Sequence, residues 1–543
     1  MSQSLHTRVL TASLSLVLAA ALAAPAAGET LADAIAEAYQ SNPNLQAQRA
    51  TQRATDEEYV QARSGWRPTL TLQASGTYEQ FRTPVSQLQR FQRFAVIERE
   101  NVGLATLAFT QPIWTGGRTA SAVTAANADV LQGRETLRRL EGQVMQAVVQ
   151  AYVDVRRDQQ SLIIHQENVK VLKSQLEESQ ARFDVGEITR TDVALSQARL
   201  AASQASLETA VAQLAVSRSN YASLVGHNPG DLAPEPSLAY LMPGNVDDAF
   251  TIAEQNSPLL RAQEFAEQAS RARIAGARAE RMPDVSFQGI LSYTGGTFDP
   301  VVQGYDTETS AALTVTVPLF NGGLTTSRIR AAIERNNSDK ITIETQRRSV
   351  LQSITQGWNL LISARANIIS TDEQVRASNI AAEGTHEEEQ VGLRSTLDTL
   401  NAEQELRSAQ LSQVTAVHDE YVATANVLFA MGRLEARNLI PSEPQYDPKA
   451  NYRRLRITWG WVPWEEPIGA LDRVAAYPVI PQSHSLKLEP AIGPGLQPGP
   501  ARPGAQPAPQ PVGQPAAPPA SKPIAQQPLA APAAKPATPP TAH

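Results

Sequence analysis

Residues 110–117 read TQPIWTGG, and residues 316–323 read TVPLFNGG. The two octets share a threonine, a proline, an aromatic residue and a glycine pair, each 206 positions apart. The same offset relates four further pairs: Tyr152 and Trp358, Gly186 and Gly392, Asp192 and Asp398, Gly226 and Gly432. One constant offset over so long a stretch indicates an internal duplication.

Each octet follows segments in which apolar and polar residues alternate. Residues 69–78 read TLTLQASGTY, and residues 285–293 read VSFQGILSY. Strict alternation predicts a strand with one apolar and one polar face, and about ten residues suit a tilted strand that crosses a membrane. We therefore predict four strands, at about 68–79, 102–112, 283–294 and 307–318.

Proline is absent after each octet. There is none from Ile113 to Asn228 and none from Leu319 to Ile440. Apolar residues recur there every three or four positions, which predicts long helices with coiled-coil seams over 119–226 and 324–432. A helix from 119 to 183 would be about 100 Å long, a length typical of a rod that crosses the periplasm.

Both ends of the chain differ from the duplicated part. Residues 1–28 have a polar start, an apolar run and small residues near the end, which predicts a cleaved signal peptide. The alternative is a transmembrane anchor, for which the apolar run is short. Residues 491–543 hold 16 of the 37 prolines, which predicts a disordered Pro/Ala-rich tail.

The segment 441–490 lies between the duplicated part and this tail. We expect it to pack near mid-height of the long helices. Trp459, Trp461 and Trp464 form a cluster within it. The cluster is either a docking patch or a segment packed onto the chain's own surface, and we favour the second interpretation.

Composition excludes several classes of function. The 543 residues include no cysteine, which removes disulfides, thiolate metal sites and cysteine nucleophiles. A net charge of −7 offers no basic field for nucleic acid. Residues 386–390 read HEEEQ and lack the second histidine of a zinc motif, and the other histidines stand alone. We predict no enzyme, cofactor or metal site, and we interpret Glu387–Glu389 as a solvated helix face.

Four strands are too few to close a barrel, because an open edge in hydrocarbon leaves backbone groups unpaired. The count therefore predicts a barrel shared between chains. The alternative is a soluble four-stranded sheet packed on a helix. Trp66, Trp114 and Phe320 each lie at the end of a strand next to the helices, so we predict that they form a membrane-interface belt.

The chain resembles the TolC-type outer membrane efflux proteins, the outer membrane channels of type I secretion and multidrug efflux systems. The resemblance rests on the duplication, the Pro-hydrophobic-aromatic-x-Gly-Gly signature and the Val-Gly-x-x-x-x-x-Asp turns at 185–192 and 391–398. It implies a mainly α fold with a transmembrane β-barrel, built from β-β-long-helix halves at 29–240 and 241–440. Three chains would form a 12-stranded barrel, continued by a periplasmic α-helical barrel.

The resemblance also implies a gate at the periplasmic tip, where Gly186 and Gly392 turn the chain. The residues it assigns to this tip are Gly186, Thr191, Asp192, Glu389, Gly392, Arg394, Asp398 and Asn401. Thr191, Asp192 and Arg394 match a polar network in which an Arg–Asp bridge is the latch. Glu389 occupies that network's aromatic position.

Asp398 matches the first member of an aspartate pair that lines the pore and favours cations. It is also placed to cap the helix that follows the turn. Asn401 occupies the second position of the pair, so we expect weaker cation selectivity.

The function implied is a passive exit duct in the outer membrane that extends into the periplasm. Its partners would be two further copies in a homotrimer, a periplasmic adaptor of the membrane fusion protein class, an inner-membrane ABC or proton-driven pump, and outer membrane lipid. The alternative is a periplasmic coiled-coil structural or adaptor protein without a pore. The cargo, secreted protein or small toxic molecules, is left open.

Overall fold

The structure is a computed structural model that describes residues 28–83, 96–296, 305–455, 457, 459–474 and 476. The predicted signal peptide, apart from its last residue, and the predicted tail lie outside these residues. So do the outer parts of both hairpin loops.

The two halves contain the same helices and strands in the same order. The first half comprises α1 (Leu31–Ser41), α2 (Pro43–Arg63), β1 (Thr69–Thr83), β2 (Val96–Trp114), α3 (Arg118–Asp184) and α4 (Arg190–Val225). The second comprises α5 (Val246–Asn256), α6 (Pro258–Ala279), β3 (Asp284–Gly296), β4 (Tyr305–Thr316), α7 (Leu324–Gln390) and α8 (Thr396–Ala430). Three short helices follow: α9 (Ala436–Leu439), α10 (Lys449–Arg454) and α11 (Glu465–Val474).

The two longest helices, α3 and α7, have 67 residues each. Each is therefore about 100 Å long. Among the described residues, no helix is both long and apolar enough to span a membrane.

The backbone repeats the duplication seen in the sequence. Glycines with positive φ occur in matched pairs: Gly116 and Gly322 (64° and 62°), Gly117 and Gly323 (both 85°), Gly186 and Gly392 (82° and 78°), Gly226 and Gly432 (107° and 68°). This left-handed region is readily accessible only to glycine. The glycine pair of each octet thus makes the turn from strand to long helix.

The four strands form one antiparallel sheet in the order β1-β2-β3-β4. β2 of the first half pairs with β3 of the second along a register from Val102–Gly296 to Gln111–Phe287, so the halves share one sheet. β4 ends at Thr316, two residues before its predicted end, and Pro318 has no N–H to extend the ladder.

The register sorts side chains onto two faces. The apolar face carries Leu70, Leu72, Leu107, Phe109, Phe287, Leu291, Leu313 and Val315. The polar face carries Thr69, Thr71, Gln73, Thr106, Thr110, Gln288, Ser292 and Glu308. Leu72 is 73% exposed and Leu313 is 63% exposed. Such an apolar surface marks a contact with lipid or with another chain.

The main core lies at mid-length of the long helices. Tyr152, near the middle of α3, is fully buried, and its hydroxyl lies within hydrogen-bonding distance of the carbonyl oxygens of Glu29 and Ala233, at 2.9 and 2.6 Å. The buried cluster around it draws on α1, α4, α5 and α8 and includes Leu31, Ile35, Tyr221, Ala249, Leu428 and Met431. The two halves are therefore held together midway between the sheet and the far turns.

The segment after α9 leaves this core and follows α2 toward the sheet. The Tyr446 amide donates to the Tyr39 hydroxyl at 3.0 Å, and Asn451 donates to Asp56 at 3.0 Å. Farther on, Glu465 pairs with Arg63 at 2.6 Å, next to the sheet. The expectation that 441–490 packs at mid-height is therefore wrong for residues 459–474, because long-range ion pairs hold them at the base of the sheet.

Asp472 of α11 caps the long helix α3. Its buried carboxylate accepts hydrogen bonds from the backbone N–H groups of Thr115, Gly117 and Ala120 at 2.9–3.0 Å, and from the Trp66 indole at 3.2 Å. Burial alone would raise the pKa of Asp472, but these donors outweigh it and hold the pKa below its ordinary value. Helix N-termini need such acceptors, and here the acceptor comes from the other end of the chain.

We predict that Asp472→Ala destabilises the junction of sheet and helix. The loss would leave buried N–H donors unpaired, at a cost of about 1–3 kcal/mol. The measurement is the midpoint of thermal loss of helical circular dichroism in detergent. Asp447→Ala is the matched control, since Asp447 is an exposed aspartate paired with Arg453. Equal midpoints for the two variants would contradict the capping role.

His418 links the two halves on the side of the core away from the sheet. Its Nε2 lies 2.8 Å from Asp154 on α3, and its Nδ1 lies 2.9 Å from Asp419 on α8. The prediction that this histidine stands alone is therefore wrong. Burial, and the nearby Arg157 guanidinium, lower the pKa of His418, but the two carboxylates outweigh them and the pKa is raised.

A raised pKa fixes the sign of a pH effect. Stabilisation by His418 should be complete below the unfolded pKa of about 6.5 and should be lost as the pH rises through the higher folded pKa. We predict that the wild-type thermal midpoint falls more between about pH 5.5 and about pH 8.5 than that of His418→Gln. His386→Gln is the matched control for the loss of an imidazole, since this partly buried histidine of α7 bonds only to Gln390 of its own helix among the described contacts. If the thermal midpoints of wild type and His418→Gln change with pH in parallel, the contribution of His418 to stability is contradicted.

Candidate functional site

The far ends of the long helices carry two equivalent turns. The Gly186 amide donates to the Phe183 carbonyl and the Gly392 amide to the Glu389 carbonyl, each at 2.9 Å. α3 and α7 both begin at the sheet and end at these turns. The turns therefore form the tip of the molecule opposite the sheet.

Each returning helix begins with a capping box. Thr189 donates its amide and hydroxyl to Asp192 at 2.9 and 2.7 Å, and Ser395 does the same to Asp398 at 3.2 and 2.8 Å. These hydrogen bonds hold the pKa values of both aspartates below their ordinary value. Asp398 thus has the capping role that the sequence predicts, and both carboxylates stay charged at neutral pH.

Arg394 pairs across its own turn. Its Nε lies 2.8 Å from Glu388, with both side chains about half exposed. Thr191 is exposed, and one Asp192 oxygen is already engaged by Thr189. The expected Arg394–Asp192 bridge does not form within the chain, because a carboxylate six residues before Arg394 is closer to it.

Glu389 joins the two helical hairpins, α3–α4 and α7–α8, at the tip. It is 1% exposed and accepts a hydrogen bond from the Thr396 hydroxyl at 2.8 Å. From the first half, the Arg182 guanidinium approaches it to 3.3 Å, and the Gln175 amide approaches to 3.4 Å. The interpretation of Glu387–Glu389 as a solvated face is therefore wrong for Glu389, whose side chain points between α7 and α3.

A second contact between the halves involves Asn401. Its Oδ1 accepts from Arg199 of α4 at 3.1 Å, and Arg199 also donates to Gln404. Sequence reasoning identified Glu389 and Asn401 but missed their partners Gln175, Arg182 and Arg199. One signal was available in the sequence. Arg182 and Glu388 occupy equivalent positions of the two halves, 206 residues apart, and carry opposite charges. In the structure, each of them forms an ion pair across its own turn.

The three aromatic residues assigned to a membrane interface differ in exposure. Phe320 is 89% exposed, and Trp114 at the end of β2 is partly buried. Trp66 is only 1% exposed and is covered by α11, where Asp472 accepts its indole N–H. The prediction is therefore wrong for Trp66, whose role is structural.

Among the described residues, no cluster of metal-ligating side chains is present.

Comparison with known proteins agrees with this architecture. The family model "Outer membrane efflux protein" matches residues 34–227 and 250–433, which gives one match in each half. The chain is 30% identical over 421 residues to the outer membrane efflux protein BepC of Brucella suis, covering 78% of this chain and 89% of BepC. It is 23% identical over 424 residues to the outer membrane protein TolC of Escherichia coli, covering 74% and 81% of the two chains.

A solved structure shows the same fold. The CmeC outer membrane channel of Campylobacter jejuni superposes with a TM-score of 0.66 at 15% identity, covering 78% of this chain and 89% of CmeC. The resemblance to TolC-type proteins and the mainly helical fold with a small sheet are confirmed. With both halves matched, the chain belongs to the outer membrane efflux protein family.

Proposed function

We propose that three copies of this chain assemble into one duct that runs through the periplasm and across the outer membrane. The chain is an outer membrane efflux protein that extends into the periplasm. The sheet is the observation that supports a trimer. It has an exposed apolar face, and its edge strands, β1 and β4, each pair on one side only within the described residues.

A trimeric barrel would satisfy both features of the sheet. Unpaired backbone groups in hydrocarbon cost several kcal/mol each, so the edge of β4 needs the edge of β1 from another chain. Three sheets of four strands would make twelve. Each apolar face would contact lipid, and each polar face, with Thr71 and Gln73, would line the lumen.

The driving force for export must come from partners. The sequence has no phosphate-binding loop that could hold a nucleotide. We propose a periplasmic adaptor and an inner-membrane pump, either an ABC transporter or a proton-driven one, as the other members of the system. The cargo is then chosen by the pump, and the chain conducts it passively.

The tip would be the gate of this duct. Glu389 ties the second hairpin to the first through Arg182, while Arg394 and Glu388 hold their own turn. The Asp398 carboxylates of three chains would form a ring of fixed negative charge at the opening. Breaking the contacts of Glu389 would weaken the attachment between the hairpins and leave the contact of Arg199 with Asn401 and Gln404 that is described above.

We predict that Glu389→Gln combined with Arg394→Ser increases single-channel conductance in planar bilayers. The first change leaves Arg182 without a carboxylate between the hairpins, and the second frees Glu388. Arg376→Ser is the matched control, since Arg376 forms an exposed ion pair with Glu373 within α7. It should keep the wild-type conductance.

Wild-type conductance in the double variant would contradict the assignment of the gate. If neither the wild type nor the variant forms a channel, the proposal that the chain forms a duct is wrong. The alternative of a periplasmic coiled-coil structural or adaptor protein would then be favoured.

A further inference from the structure

We propose that residues 459–474 form a lipid-binding collar at the base of the barrel, in contact with the phospholipid headgroups of the periplasmic leaflet. The term collar is used below for these residues. The proposal rests on the orientation of the barrel proposed above and adds a membrane contact outside the strands.

The collar is attached to the lipid side of the sheet. The Trp464 indole N–H donates to the Gln111 side-chain oxygen at 3.0 Å. Gln111 pairs directly with Phe287 in the register, and paired residues point to the same side, so Gln111 belongs to the apolar face. Trp464 therefore lies at the edge of the surface that would face lipid, at the end of the strands near the helices.

Buried ion pairs hold the collar in place. Glu465 is fully buried and bridges Arg63 and Arg67 at 2.6 and 2.9 Å. Seven residues later, Asp472 binds the N-terminus of α3 and the Trp66 indole. Since both anchors are on the inward side of α11, the opposite side of this helix is fixed in an outward orientation.

The outward side is apolar and aromatic. Trp459 is fully exposed, Trp461 and Trp464 are exposed by nearly half, and Leu471 and Val474 of α11 are also exposed. The interpretation that the tryptophan cluster packs onto the chain's own surface is therefore wrong for Trp459, whereas Trp461 and Trp464 are partly covered by the chain. Tryptophan favours the headgroup level of a bilayer, where its ring is half solvated.

Basic side chains precede the collar in the chain, and the exposed Glu466 of the collar is paired with Arg63. Lys449 and Arg454 of α10 are exposed on the approach to the tryptophans. Basic residues next to exposed aromatics attract phosphate headgroups while the rings insert. The hydrogen bond between Trp464 and Gln111 joins this patch to the apolar face of the sheet, so lipid would cover both.

The test uses nitroxide labels at single introduced cysteines. No native cysteine has to be replaced first, because the chain contains none. Trp459→Cys reports on the collar. Leu72→Cys on the apolar face of β1 is the lipid reference, and Val185→Cys at the tip is the water reference. Each labelled full-length protein is reconstituted into phospholipid nanodiscs, and collision rates with oxygen and with a water-soluble nickel chelate are measured by electron paramagnetic resonance.

We expect the label at position 459 to collide several-fold less with the nickel chelate than the label at 185, and to approach the oxygen accessibility of the label at 72. A label at 459 that matches 185 would overturn the collar while leaving the barrel intact. A label shielded from both reagents would also overturn it, in favour of contact with a neighbouring subunit. Water-like behaviour at position 72 would instead show that the proposed barrel is wrong.

Discussion

An antiparallel sheet of four strands with one apolar face is the constraint on which the rest of the molecule depends. Its apolar face cannot stay in water, and its edge strands cannot stay unpaired in lipid. A membrane and the further copies of the chain proposed above would together satisfy both requirements. The helices then have a defined role, because they place the tip about 100 Å from the membrane end.

The two duplicated halves make up most of the molecule. The C-terminal segment makes their structural surroundings unequal. Both long helices start after a glycine pair with nearly identical φ values. Asp472 caps α3 but not α7. The surroundings of the two glycine pairs differ as well: a Cβ added at Gly117 would meet Ala476, whereas a Cβ added at Gly323 would meet no atom within contact distance. The start of α7 is thus exposed, and in the proposed trimer it would be available to a neighbouring subunit.

Sequence patterns predict the repeated features well because these depend on local chemistry. Alternation in 69–78 marks a strand, the glycine pair marks a turn, and the absence of proline marks a long helix. The same reasoning places Asp398 as a cap, since its partner Ser395 is three residues away.

Contacts between distant segments were beyond such reasoning. The burial of Trp66 depends on Asp472, 406 residues away, and the burial of Glu389 depends on Arg182, 207 residues away. No local pattern distinguishes these residues from exposed ones. Sequence reasoning therefore located the tip but not the ion pair within it.

The most direct test of the central claim is the mass of the detergent-extracted protein by light scattering, together with fractionation of the cell envelope. The shared barrel requires a particle of three chains in the outer membrane fraction. A monomer in the soluble periplasm would contradict the account, because four strands and an exposed apolar face would then have no membrane and no partner.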